Sequence, residues 1–130
     1  MKKSVTIAVC AAWWLVLASP LAAHHGRGAT YDLKEERSLT GTVAEVLWRN
    51  PHIVIFLDAP DEHGAVVRWA IEHSNISTLA RQGYGRTALK AGDDVTVVVY
   101  PGSAGEPIGL CVKVVFPDGR EVFGRSAGVD

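Results

Sequence analysis

Two strand-like runs meet at Arg49-Asn50-Pro51-His52, and this junction limits the fold more than any other stretch. Asn-Pro is a turn signal, and the residue before a proline avoids the helical region. Residues 38–48 read as a first strand, in which Gly41 invites a bend or bulge. Residues 52–58 read as a second strand, and Ile53-Val54-Ile55-Phe56-Leu57 is too continuous to have one wet face. Residues 59–64 form a hairpin loop. In a third strand over 65–72, Val67, Trp69 and Ile71 alternate with Arg68 and Ala70.

The period then changes. Ser74 or Asn75 can cap a short helix that runs to about Gln82, and Gly83 supplies its left-handed end. After the turn at 89–94, a fourth strand spans 95–100. A Gly- and Pro-rich loop leads to a fifth strand over 110–116, and residues 121–123 add a short extension. Three strands, a helix and two strands is the element order of the OB-fold. The expected class is therefore all-β: a small five-stranded OB-fold-like barrel with one short helix between strands 3 and 4. A β-sandwich needs more strands than the chain offers.

The barrel domain is expected over 38–130, with a flexible, charged arm over 24–37 that has no apolar period. Residues 1–23 read as a secretory signal peptide. Lys2 and Lys3 precede the apolar run 5–18, and Leu21-Ala22-Ala23 ends in the small residue that cleavage requires. The apolar run is too short to span a hydrocarbon core of ~30 Å, so no stable membrane insertion is expected after cleavage. Lipidation at Cys10 is disfavoured by the bulky Val9 before it. Cleavage after Ala23 leaves eleven basic and fourteen acidic residues, a net charge of about −3, with no basic patch for nucleic acid. Cys111 is then the lone thiol, so an internal disulfide is excluded and burial within a strand is expected.

The chain resembles the DUF6152 family of small secreted bacterial proteins of unknown function. The resemblance rests on His24-His25, Tyr31-Asp32, Leu39-Thr40-Gly41-Thr42-Val43, Trp48-Arg49-Asn50-Pro51-His52 and Trp69-Ala70-Ile71-Glu72. Further on it rests on Leu79-Ala80-Arg81-Gln82-Gly83-Tyr84, Leu89-Lys90-Ala91-Gly92-Asp93 and Asp118-Gly119-Arg120. The chain departs from the pattern at Gly26, where a serine is expected, and at Tyr84, where a tryptophan is expected. The resemblance implies a periplasmic protein of a Gram-negative cell and supplies no biochemical function.

Cleavage after Ala23 would start the protein at His24, which then offers an α-amine and an imidazole that can chelate one metal ion. An unperturbed α-amine titrates at about 7.7–8 and imidazole at about 6.5, so both can coordinate near neutral pH. Such nitrogen donors suit Cu(II), which stands at the top of the divalent affinity order. Cleavage after Ala22 would make His25 the third residue, an arrangement that also takes Cu(II) or Ni(II).

Strand parity adds a second constellation. The turn after strand 1 and the end of strand 3 share one end of an antiparallel meander, which brings His52 towards Glu72, His73 and Asn75. The expected metal ligands are His24, His25, His52 and Glu72, with Glu72 as ligand or orienter and copper as the cofactor. Arg49, Asn50, His73 and Asn75 are the expected ligand-binding residues. The plain alternatives are a solvated tail for the paired histidines, a turn residue for His52, an ion pair to Arg49 or Arg81 for Glu72, and a helix cap for Asn75. Trp48 and Trp69 are expected in the core and His63 in solvent.

No nucleophile–base spacing and no phosphate loop stands out, so catalysis is not expected. The function expected is a small periplasmic binding protein for copper or another divalent metal. The alternative is a metal-independent module that grips a peptide, glycan or envelope partner at the barrel mouth.

Overall fold

The structure is a computed structural model and describes residues 27–124. A short helix α1 (Arg27–Thr30) precedes β1 (Arg37–Leu47), β2 (Val54–Pro60), β3 (Val66–Glu72), α2 (Ile76–Arg81), β4 (Asp94–Pro101), β5 (Ile108–Val115) and β6 (Glu121–Val122). Each expected strand is present, with limits that differ by one or two residues.

The strands lie in the order β3-β2-β1-β4-β5-β6, and a parallel pairing of β3 with β5 closes the first five into a barrel. This is the five-stranded OB-fold-like barrel anticipated from the element order. The sixth strand, β6, sets Val122 opposite Val114.

β1 serves two neighbours. Its residues 37–42 pair with β4, and its residues 42–47 pair with β2. The crossover needs Gly41, because an added Cβ would overlap the carbonyl of Asp58 on β2. The bulge itself falls just beyond, between Val43 and Glu45.

Alternation fills the interior. Ile55, Leu57, Ile71, Val97, Val99 and Val114 are fully buried. Cys111 lies buried in β5 as expected, and burial raises its thiol pKa to about 12.

Where β3 ends, α2 packs Leu79 into the core. Asn75 caps this helix by accepting from the Thr78 amide at 2.8 Å, and Gly83 turns the chain at φ 86°. Phe123, also fully buried, meets the rings of Trp48, His73 and Tyr84. It holds a left-handed φ of 57°, a strained conformation for a bulky residue that its surroundings enforce. This end of the barrel is therefore packed with Leu79 and Phe123.

Candidate functional site: a Tyr31–Glu72–His52 chain

Glu72 ends β3. Its neighbour Ile71 points into the core, so Glu72 faces outward, as does Val54 opposite it on β2. His52, two residues before β2, brings Nδ1 against Glu72 Oε1. The other carboxylate oxygen, Oε2, accepts the Tyr31 hydroxyl at 2.7 Å. Glu72 therefore bridges a tyrosine and a histidine. The His52 side chain is 36% accessible, and among the described residues its Nε2 has no hydrogen-bond partner.

Tyr31 is 6% exposed and forms a bridge with Gly102 after β4. The Asp32 amide donates to the Pro101 carbonyl at 2.8 Å, and the Ser103 amide donates to the Thr30 carbonyl at 2.9 Å. The segment expected as a flexible arm is thus fastened to the barrel over 30–32, beyond the turn of α1. Backbone pairing and the tyrosine hydroxyl do this, and neither leaves an apolar period in the sequence.

The remaining candidates separate. His73 continues the inward parity of Ile71 and is 6% exposed. Its Nε2 lies 2.9 Å from the Phe123 carbonyl, and its Nδ1 accepts the Ser74 amide. With Nδ1 accepting from Ser74, Nε2 is the nitrogen that donates to the Phe123 carbonyl. His73 joins the C-terminal segment to the core through the Phe123 carbonyl.

Asn75 is the helix cap already described. Asn50, at the cis Asn50–Pro51 bond, accepts the Ile76 amide at 3.4 Å and tethers the turn to the start of α2. Arg49 is exposed and forms no ion pair among the described residues. Glu72 takes His52 and Tyr31 as partners instead of Arg49 or Arg81. Arg81 reaches Thr78 at 3.3 Å. Arg68 is committed to Asp58 through two hydrogen bonds of 2.7 and 2.8 Å, which hold the Asp58 carboxyl below its ordinary value.

His24 and His25 lie outside the described residues, as does the segment read as a signal peptide. Among the described residues no three His, Cys, Asp or Glu side chains form a metal-holding group. Tyr31 was not among the residues singled out for a site. A tyrosine–aspartate pair in a polar stretch was the available signal, and it does not name the partner.

The chain belongs to a family described as "Family of unknown function (DUF6152)", whose match covers residues 13–112, from before Tyr31 to within β5. No curated protein and no solved structure matches it.

Proposed function

We propose that this is a small periplasmic metal-binding protein that takes copper through His52 and the histidines of its mature N-terminus. The observation that carries the reading is the engagement of His52 Nδ1 by Glu72. A carboxylate on one ring nitrogen fixes the tautomer and the orientation of the ring, an arrangement typical of metal-ligating histidines. Glu72 is then the orienter, Tyr31 holds Glu72 in place, and Nε2 of the partly exposed ring is the donor.

One imidazole does not make a site. His24 and His25 supply the rest, with the α-amine of His24 if cleavage follows Ala23. Tyr31 lies six positions after His25, a reach of at most about 20 Å even if the chain were fully extended. With Tyr31 anchored on Glu72, a reach of that length would allow the paired histidines to meet His52. A three-nitrogen set of this kind suits Cu(II). The role is that of a carrier or sensor, and the residues suggest no catalysis. A metal-independent peptide, glycan or envelope partner would have to meet the outer wall here, because Leu79 and Phe123 pack the interior.

The test is calorimetric titration of Cu(II) into protein exported by a Gram-negative host, with its N-terminus fixed by mass. A start at His24 and 1:1 binding that weakens in both His24→Ala and His52→Ala are expected. Binding unchanged in both variants would overturn the reading.

A further inference from the structure

The end of the barrel away from α2, where β1 and β3 begin and β2 finishes, carries a cleft of about 490 Å³. Trp69 and Leu39 line its apolar side, and Arg37, Ser38, Glu62 and His63 are also in its wall. Trp69 stands opposite the fully buried Leu57 on β2 and is partly buried against the core, so its indole is a fixed surface. The rim has a defined shape too. Asp61 Oδ1 accepts the amides of His63 and Ala65 at 2.8 and 2.9 Å, which sets the β2–β3 loop.

The charges in the wall discriminate among ligand classes. A cation on the indole face would meet Arg37, whose guanidinium already lies 6.0 Å from the ring centroid. An anion would meet Asp61 and Glu62. A wholly apolar ligand would strip water from Arg37 and Glu62, neither of which has an ion-pair partner among the described residues. A neutral ring with an apolar face and a hydroxylated edge avoids all three costs. Its C–H face lies on Trp69, its hydroxyls donate to Glu62, and they accept from Arg37 and Ser38.

We propose that this cleft is a binding site for neutral saccharide units, with Trp69 as the stacking platform and Arg37 and Glu62 as the hydroxyl-reading pair. It lies apart from His52 and does not depend on the metal reading.

The test is a ¹⁵N-NMR titration of the exported protein with two neutral probes, cellotriose and N,N′,N″-triacetylchitotriose. The expected result is saturable movement of the Trp69 indole N–H and the amides of residues 61–63 with at least one probe. Glu62→Ala should weaken that binding about tenfold with the fold intact, because Glu62 is exposed. Trp69→Ala should abolish it. Free arginine and free glutamate are the charged controls and should leave these signals in place. No movement up to on the order of 50 mM of either saccharide would overturn the proposal. So would movement confined to other residues, binding unchanged by Glu62→Ala, or tighter binding of a charged control.

Discussion

Tyr31 and Glu72 lie 41 residues apart in the chain and are joined by a 2.7 Å hydrogen bond on the outer wall of the barrel. That bond fixes the segment before β1 to the end of β3, and the same carboxylate turns His52. Removing the hydroxyl in Tyr31→Phe leaves the ring in place and takes one bond to a charged acceptor. The expected loss is about 1.5 kcal/mol, seen as a lower urea midpoint at unchanged slope. Hydrogen exchange should quicken at Asp32 and Ser103, whose amides share this anchor.

Gly41 is a second pressure point. A Cβ there overlaps the Asp58 backbone, which cannot swing aside as a side chain can. Gly41→Ala is therefore expected to cost upwards of about 2 kcal/mol, read from thermal or urea unfolding. Gly64→Ala serves as the control, since its loop position has open space and only the φ of 81° to oppose it. Its cost should be smaller, about 1 kcal/mol.

The fold was legible where a periodic signal exists. The alternation of Val67, Trp69 and Ile71 and the helix capped by Asn75 led to the barrel because period and punctuation are local. The site was legible only in part. Parity brought His52 and Glu72 to one end of the barrel, and their pairing there agrees with it. The same parity, carried one residue further, puts His73 on the inner face with Ile71, which is the signal for its buried role. Tyr31 was hidden because its anchor is a hydrogen bond between distant residues. Phe123 was hidden because its plug is a single residue after a two-residue strand.

The Cys111 thiol should behave as a core atom. Burial raises its pKa to about 12, so the folded state holds a proton that the unfolded chain releases near pH 8.5. Stability is then expected to fall as pH rises above about 8.5, by up to about 1.4 kcal/mol per pH unit until the folded value is reached. Cys111→Ala should flatten that alkaline limb. At neutral pH a thiol reagent should label Cys111 only as fast as the protein opens, a rate that urea increases.

At the acid end the sign reverses. Burial pushes the Asp93 carboxyl up, but the hydrogen bonds from the Lys90 side chain and amide outweigh it and hold the group below its ordinary value. A depressed carboxyl contributes stability that is present above the unfolded pKa of about 3.9 and is lost as pH falls through the lower folded value. The Asp93→Asn protein should be less stable at pH 7 and should show a shallower decline below about pH 4, followed by urea midpoints across that range.

The most direct test of the metal reading is electron paramagnetic resonance of the Cu(II)-loaded exported protein beside its His52→Ala and Glu72→Gln variants. The expected spectrum has nitrogen hyperfine structure that loses one imidazole in His52→Ala. In Glu72→Gln the imidazole should be kept, while the affinity falls about tenfold or more because the ring has lost its orienting carboxylate. Three superimposable spectra with equal affinities would contradict the account, leaving the Tyr31–Glu72–His52 chain as a structural anchor alone.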